Sequence, residues 1–400
     1  MNAATIFPRF SESEYRRREA CVRQEMAARG LDAVIAVGDS GRHGSNHANV
    51  YWLTNWVDPY VCYAILTAKG GPWVLMSNPL YLHTARRAGR AVEIEAFPYG
   101  RNPGAVLAEK LADLGLARGR IGIAGVRHIG RSSIAAQDRD ALVAALPEAK
   151  FEDALDVFAA ARLIKSAEEL AWFERGAMLT DRVVAHLARH MRAGMSEQQL
   201  SGLMHEAAIG EGGWMRVEFI GATPMDAPEI IFPWQYPSIR RLQRGDVVLT
   251  ELSVGWGMCS GQIQRPYCVG ANPTPEYQRL YDMAVECYER VFDVLKAGAT
   301  DADFRAAAAS VVERDGYKTL DVLLHGWGLQ IEDPRLDVPS ATIKRPQMPF
   351  TFKPGMLMVI QPNTVSPDGR RGLQVGNLVA IEEHGARSLQ QYPMEFIRVE

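Results

Sequence analysis

The stretch Asp246–Gly270, which reads DVVLTELSVGWGMCSGQIQRPYCVG, constrains the fold of this chain more than any other segment. Its first part is rich in Val, Leu and Thr as far as Val254, and two glycines separate it from a second run that begins at Gln262. This pattern predicts a β-hairpin. Because side chains alternate along a strand, Glu251 falls on a face that is otherwise mostly apolar. A carboxylate is costly to bury there unless it is paired or takes part in function.

Length and charge narrow the class of protein. A chain of 400 residues is too long for one ordinary core, so two or three domains are expected. Its net charge of -3 gives no electrostatic reason to expect nucleic acid or an anionic membrane as a partner. No apolar run approaches the roughly 20 residues of a spanning helix, and the N-terminus lacks the pattern of a signal peptide. We therefore expect a cytoplasmic protein.

Cysteine and histidine patterns give no clear metal or disulfide signal. The five cysteines are scattered without CxxC spacing, which predicts reduced thiols rather than a disulfide framework or a zinc site. His43 and His47 lie in a Gly/Ser/Asn-rich loop and could form a metal pair. A polar loop or lid is the favoured interpretation, because no third ligand lies nearby in the sequence.

The pattern of secondary structure changes near residue 160. Before it, helical and strand-like segments alternate, which predicts an α/β domain over residues 1–160. After it, two capping boxes, Ser166 with Glu169 and Ser196 with Gln199, open long helices ahead of the hairpin. Further helices from Pro275 and Thr300 and a return to strands predict an α+β domain, with helices covering one antiparallel sheet, over residues 161–400.

Several segments together resemble the creatinase, aminopeptidase P and prolidase family. The matching stretches are VYWLTNW in the first half, RLIKSAEEL at the junction, and RRLQRGDVVLTELS, QIQRPYCVG, HGWGLQIEDP, KPGMLMVIQP and GLQVGNLVAIEEHG in the second. The resemblance implies an α/β N-terminal domain followed by an α+β C-terminal domain of the pita-bread fold. It also implies a homodimer with sites near the subunit interface.

The same resemblance implies where metal ligands would fall. Metal-dependent members hold two divalent ions with two Asp, one His and two Glu, and these positions correspond here to Glu251, Gln262, His325, Gln361 and Gly376. Three of the five have lost their charge or their side chain. Bridging of two divalent ions depends on carboxylates, so we expect neither a dinuclear metal site nor any other cofactor.

Members of the family that work without metal, such as those resembling creatinase or ectoine hydrolase, typically carry Glu at the first position, as Glu251 does. The resemblance therefore implies hydrolysis of a non-peptide C–N bond. A buried carboxylate can act as general base or as nucleophile. His325, beside two glycines, could carry a proton or donate a hydrogen bond to the substrate. The alternatives are a structural glutamate and a core histidine.

Two departures from the family pattern affect the predicted chemistry. Trp234 stands where many members carry an active-site histidine, and with Tyr236 it is predicted to contact the substrate by stacking rather than by proton transfer. Glu332 and Asp333 replace the family's His-Glu pair. They are predicted either to form a second carboxylate site for the substrate or to cap the turn at Pro334.

The remaining candidates are polar and aromatic. Gln262 and Gln361 are predicted to bind a small polar substrate through their amide groups. Trp56 ends the family's LTNW segment and Tyr60 follows it; in family dimers this region reaches the partner's site, and core packing is the alternative for both residues and for Tyr63. Arg265 is predicted to be a structural residue of the sheet, and Cys259 is predicted to be a buried thiol.

Together these features predict a metal-independent hydrolase of a C–N bond of the amide, amidine or urea type in a small polar molecule. Two alternatives remain open. The first is a non-catalytic protein that binds a ligand or peptide, and loss of both the metal ligands and the usual histidine favours it. The second is an Xaa-Pro-type metallopeptidase with a rearranged mononuclear site that uses Glu251, His325 and Glu332.

Overall fold

The structure is a computed structural model of the chain, and it describes residues 8–39, 45–125, 133–346 and 348–400. The chain divides into two compact units, Met1–Leu163 and Ile164–Glu400. His43 of the histidine pair lies outside the described residues. Throughout the described ranges, every helix is too short or too polar to cross a membrane.

The first unit is an α/β domain, as predicted. Within its described residues, a mixed sheet of six strands has the order β4-β3-β2-β1-β5-β6, with β1 antiparallel to β2 and parallel to β5. The strands are β1 Ala33–Gly38, β2 Cys62–Thr67, β3 Trp73–Met76, β4 Glu93–Ala96, β5 Arg120–Ala124 and β6 Lys150–Asp153. The helices are α1 Glu12–Arg29, α2 Ala48–Thr54, α3 Leu82–Ala88, α4 Pro103–Asp113, α5 Ala136–Ala145 and α6 Leu155–Leu163.

Local sequence explains the start and end of the first helix. The Ser11 side chain accepts a hydrogen bond from the backbone N–H of Glu14, which satisfies one of the free donors at the N-terminus of α1. Gly30 ends the helix in the left-handed region, at φ 65°, and its N–H bonds back to the last turn. The fully buried strand β1 follows directly and forms the centre of the sheet. Its residues Ala33, Ile35 and Val37 belong to the core of this unit.

The second unit combines long helices with a large sheet. Its helices are α7 Ala167–His190, α8 Glu197–Gly210, α9 Pro275–Val294 and α10 Asp301–Val312. Both predicted capping boxes are present, at Ser166 with Glu169 and at Ser196 with Gln199. The strands are β7 Trp214–Pro224, β8 Asp246–Trp256, β9 Cys259–Ser260, β10 Ile263–Val269, β11 Lys318–Thr319, β12 Leu324–Trp327, β13 Ile331–Leu336, β14 Leu357–Ile360, β15 Asn363–Val365, β16 Gly372–Gln374, β17 Gly376–Ile381, β18 Ala386–Ser388 and β19 Ile397–Val399.

The predicted hairpin is confirmed and lies inside the main sheet. Strands β8 and β10 pair antiparallel, and the sheet continues in the order β13-β12-β14-β17-β10-β8-β7. The expectation of a purely antiparallel sheet is wrong in one place, because β19 joins β10 in parallel. Strand β7 was not predicted. Its pairing with β8 contains a register shift between Met215 and Val217, which marks a β-bulge.

Helices cover both faces of this sheet. On one face, α7 and α8 pack against Val248, Leu252 and Val254 of β8. On the other face, Val247 and Leu249 pack against Tyr277 and Leu280 of α9. Glu251 has the same parity as the second pair, so its side chain leaves the sheet on the α9 side, beyond the apolar contacts.

Candidate active site

Glu251 lies near the middle of β8, and its carboxylate is held by amide groups. Its side chain is buried, with 7% of the residue exposed. Gln262 Nε2 donates to Glu251 Oε1 at 2.5 Å, and Gln374 Nε2 donates to Glu251 Oε2 at 3.4 Å. The surroundings of the carboxylate are therefore not only apolar, as predicted, but also include two amides. One amide directly precedes β10 and the other lies at the end of β16.

The electrostatic balance at Glu251 favours the protonated acid more than at an exposed glutamate. Burial raises the pKa of Glu251 from its ordinary value of 4.5 to about 7, and the negative charge of Asp321 adds to the increase. The amides of Gln374 and Gln262 act in the opposite direction by stabilising the carboxylate. The group therefore titrates near neutral pH, where a carboxylate can both accept and return a proton.

His325 lies on β12, and its ring faces two acceptors. Its Nδ1 is 3.0 Å from the carbonyl oxygen of Gly326, and its Nε2 is 3.3 Å from Gln361 Oε1. Burial lowers the pKa of His325 to about 4, so the imidazole is neutral at pH 7. A neutral imidazole carries one N–H, and it can donate to only one of these oxygens at a time. The proton can therefore occupy either nitrogen.

Two glutamines, Gln264 and Gln361, lie between the two predicted catalytic residues. Gln264 lies directly opposite Glu251 in the β8–β10 register, so both side chains leave the same face of the sheet. Gln264 Nε2 donates to Gln361 Oε1 at 3.0 Å, and the same oxygen faces His325. Hydrogen bonds thus join Glu251 to Gln262, and His325 to Gln361 and Gln264, and the two groups are neighbours where Gln264 lies opposite Glu251.

Gly376 has a steric reason to lack a side chain. A Cβ atom built at this position would lie 2.3 Å from Gln264 Oε1 and 2.3 Å from the carbonyl oxygen of Ile360. Both distances are far below a van der Waals contact, and the second involves backbone that cannot move aside. Gln264 therefore occupies the space that the Cβ atom of any larger residue at position 376 would need.

Comparison with known proteins identifies the family. The sequence profile of metallopeptidase family M24 matches residues 171–383, which is more than half of the chain. The chain belongs to metallopeptidase family M24. The profile of the creatinase/prolidase N-terminal domain matches residues 18–164. The architecture is accordingly a creatinase-type N-terminal domain with a pita-bread C-terminal domain, and the predicted fold class is confirmed.

Individual relatives of the M24 family are similar at low identity. The Xaa-Pro dipeptidase of Pyrococcus furiosus is 24% identical over 251 residues, covering 62% of this chain and 69% of the relative. The probable dipeptidase PepE of Mycobacterium tuberculosis is 26% identical over 251 residues, covering 62% of this chain and 63% of the relative. The crystal structure of dipeptidase PepE from Mycobacterium ulcerans has a TM-score of 0.76 at 23% identity and covers 98% of this chain and 99% of that one.

The name of the M24 family implies a metal centre, and the residues present here do not fit one. The five positions that resemble its ligands carry one carboxylate, one imidazole, two amides and a glycine whose side-chain space is already filled. Among the residues that the structure describes, no group of three or more His, Cys, Asp or Glu side chains is placed to hold a metal ion. A dinuclear divalent centre depends on bridging carboxylates, and this set cannot supply them.

Glu332 and Asp333 do not form the joint carboxylate site that was one of the two predictions for them. They are adjacent on β13, so their side chains point to opposite faces: Glu332 is buried and Asp333 is exposed. Glu332 Oε2 accepts a hydrogen bond from Lys165 Nζ at 2.7 Å in a buried ion pair. This pairing makes Glu332 a poor ligand for a rearranged metal site, since its carboxylate already balances a cation.

The aromatic candidates Trp234 and Tyr236 lie at the surface of the second unit. Their side chains are largely exposed, at 60% and 59%, and their rings meet edge to face with centroids 5.5 Å apart. Trp234 forms a backbone bridge to Ile220 on β7, one residue beyond Phe219, which lies opposite Glu251. The segment is therefore anchored to the strand beside Glu251, while both aromatic rings remain accessible to solvent.

The aromatic candidates of the first unit fall into two groups. Trp56 is buried and donates from Nε1 to Asp58 Oδ2 at 3.1 Å, and Tyr63 is buried with its hydroxyl donating to Asp138. Core packing accounts for both of them. Tyr60 is 48% exposed and lies beside Tyr81, with ring centroids 6.5 Å apart. His47 is buried, and its Nε2 lies 3.3 Å from the carbonyl oxygen of Tyr60.

The structure adds three residues that sequence reasoning missed: Gln264, Gln374 and Lys165. Gln264 lies two residues after Gln262 and Gln374 two residues before Gly376, so alternation along each strand was the available signal. Nothing in the sequence pointed to Lys165, because its partner Glu332 lies 167 residues away. Arg265 is fully buried, with its guanidinium bonded to the carbonyl oxygens of Pro393, Gly376 and Tyr392, which fits the structural role predicted for it. Cys259 is a buried thiol, as predicted.

Proposed function

We propose that this member of the M24 family hydrolyses a C–N bond of the amide, amidine or urea type in a small polar molecule, without a transition-metal centre. The observation that carries the proposal is the Glu251 carboxylate, which is buried and fixed by the amides of Gln262 and Gln374. A buried carboxylate that titrates near neutral pH is suited to remove a proton from water as the water attacks carbon. The departing nitrogen would then receive that proton from the protonated acid.

His325 serves this reaction as a neutral imidazole. With a pKa lowered to about 4, it cannot act as an imidazolium acid at neutral pH. It can donate its N–H to a substrate oxygen or nitrogen, because the proton can occupy either ring nitrogen and Gln361 provides an alternative partner. In this role His325 polarises the bond that is broken, and Glu251 performs the proton transfer.

The names of the similar proteins favour a peptide bond, whereas the residues of the site favour chemistry without a divalent ion. Both features are compatible with C–N hydrolysis, and a substrate panel separates them. The panel contains amides, ureas, linear and cyclic amidines, and Xaa-Pro dipeptides. Each compound is incubated with protein treated with chelator and with protein supplied with Mn²⁺ or Zn²⁺. Turnover of a non-peptide compound that is insensitive to chelator supports the proposal, and turnover of dipeptides only in the presence of added metal contradicts it.

Two variants assign the chemistry within that panel. Glu251→Gln keeps the size of the side chain but removes the base, so we expect the rate to fall by about 10²- to 10⁴-fold. Glu383→Gln is the matched control, because Glu383 is exposed on the surface of the second unit. Unchanged turnover in Glu251→Gln would contradict the role assigned to this residue.

A second candidate function is ligand binding without catalysis. The exposed pair Trp234 and Tyr236 favours it, because both rings can stack on a planar ligand and the indole of Trp234 cannot transfer protons at neutral pH. In that case a compound from the panel raises the melting temperature and is recovered unchanged, including after long incubation. Homodimer formation remains a prediction, which light scattering of the purified protein tests directly.

A further inference from the structure

Three glutamine side chains around Glu251 present buried oxygen atoms without hydrogen-bond partners. In the described part of the chain, no hydrogen bond reaches the Oε1 atoms of Gln262, Gln264 and Gln374. These residues are 1%, 0% and 2% exposed. An unpaired buried amide oxygen costs on the order of 1–3 kcal/mol of stability, so three in one region call for a common partner.

The hydrogen-bond network determines which end of each amide is the oxygen. When Glu251 is ionised, Gln262 and Gln374 must direct Nε2 at it, because a carboxylate accepts hydrogen bonds and does not donate them. Gln361 must direct Nε2 at the carbonyl oxygen of Val322, at 3.1 Å, which leaves its Oε1 to accept from Gln264 Nε2. All three unpaired atoms are thus acceptors, and exchanging O and N at any one of them would place like groups in contact.

The charge of this region matches a single positive charge. Glu251 is the carboxylate in direct contact with two of the glutamines, and Gln264 lies opposite it on β10. Asp321 also acts on Glu251, and its negative charge is paired with Arg345. One carboxylate and three neutral oxygens balance a monovalent cation, whereas two divalent ions would leave a large uncompensated positive charge in a buried place.

We propose that Glu251 and the side-chain oxygens of Gln262, Gln264 and Gln374 form a binding site for one monovalent cation. Two sources share this chemistry: an alkali ion, and a protonated nitrogen group of the substrate. The second source rests on the proposed function, since it makes the cation part of the molecule that is hydrolysed. The first source does not, because an alkali ion would bind whether or not the protein is an enzyme.

The test is binding at constant ionic strength, without turnover. Thermal unfolding is measured against increasing NaCl, KCl, acetamidinium chloride or MgCl₂, with tetramethylammonium chloride keeping the total salt fixed. Tetramethylammonium is too large and has no N–H to donate, so it is the inert cation. We expect a saturable rise in melting temperature with sodium, potassium or acetamidinium and none with magnesium beyond its ionic strength.

Variants locate the effect. Gln264→Met and Gln374→Met replace the amide with a side chain of similar size that lacks a strong acceptor, and each should weaken the binding by at least about tenfold. Gln198→Met, at an exposed position on α8, is the matched control and should bind as the parent does. Two variants are used so that failure of one to fold does not decide the outcome.

The outcomes separate the two sources and the proposed function. Saturable binding of an alkali ion that both variants weaken assigns the site to an ion, and preference for acetamidinium over sodium and potassium assigns it to a substrate group. Absence of saturable binding by any monovalent cation, tighter binding of magnesium, or undiminished binding in both variants overturns the proposal. None of these results depends on turnover. The cation site can therefore be confirmed when no hydrolysis is found, and hydrolysis can be confirmed when no cation binds.

Discussion

Replacement of the buried carboxylate Glu251 by Gln should stabilise the protein, and the gain should grow with pH. The pKa of Glu251 is raised from 4.5 to about 7 in the folded protein. Below pH 4.5 both the folded and the unfolded states keep the proton, and the carboxyl group costs nothing. Between pH 4.5 and 7 the unfolded state releases its proton while the folded state retains it, so stability falls as pH rises. Above pH 7 both states are ionised and the full cost is present.

The magnitude follows from the shift. A shift of about 2.5 units corresponds to about 3 kcal/mol, at about 1.36 kcal/mol per unit. For a domain of this size, that free energy corresponds to a difference of roughly 6–12 °C in melting temperature. The melting temperature of Glu251→Gln minus that of the parent should therefore rise by this amount between pH 4.5 and pH 8.5. One lost hydrogen bond to Gln262 or Gln374 lowers the gain equally at both pH values.

The measurement is differential scanning calorimetry of parent and variant across this pH range, in tetramethylammonium buffers that contain no alkali ion. Glu383→Gln is the control, and its difference from the parent should not change with pH. A difference between Glu251→Gln and the parent that is the same at pH 4.5 and 8.5 would refute the reasoning. It would mean that the carboxylate is already compensated by a positive charge in the folded protein.

Three further perturbations test other parts of the site. Gly376→Glu restores a residue type of the metal-dependent members, but its Cβ would lie 2.3 Å from Gln264 Oε1 and from a backbone oxygen. We therefore expect the free energy of unfolding to fall by about 1–3 kcal/mol, without any gain of metal binding. Melting curves with and without Mn²⁺ measure both effects. Glu332→Gln breaks the buried ion pair with Lys165 and should lower the free energy of unfolding by about 3–5 kcal/mol. Adding Lys165→Met to the same chain should restore much of this free energy. Equal stability of the single and double variants would contradict this prediction. The pKa of His325 is lowered to about 4, so its ring should remain neutral in NMR spectra from pH 8 down to about 5. The contribution of His325 to stability, measured as the difference between the parent and His325→Gln, should fall as pH drops from 6.5 towards 4, because the unfolded state takes up a proton there. Protonation of His325 near pH 6.5 would show that its burial has little effect.

Much of the architecture could be predicted from local sequence. Capping boxes at Ser166 and Ser196 are set by residues three apart, and the alternation from Asp246 marks β8 without reference to any other segment. Strand β7 was not predicted, although residues 215–219 alternate between apolar and polar types; its bulge becomes visible only in the pairing with β8. The parallel pairing of β19 with β10 could not be found, since strand order depends on contacts between distant segments.

Sequence reasoning named some residues of the candidate site, whereas the tertiary structure decided their surroundings and added Gln264 and Gln374 beside them. The resemblance to the family implied that Glu251 and His325 stand at ligand positions, and that Gln262, Gln361 and Gly376 stand where metal-dependent members carry carboxylates. The fold decided that the glutamate is surrounded by amides rather than by apolar side chains, and that adjacent residues on β13 point to opposite faces of a strand. It also brought Lys165 against Glu332 across 167 residues. Pairing, burial and the pKa of a group depend on neighbours in space, and a linear pattern specifies only neighbours along the chain.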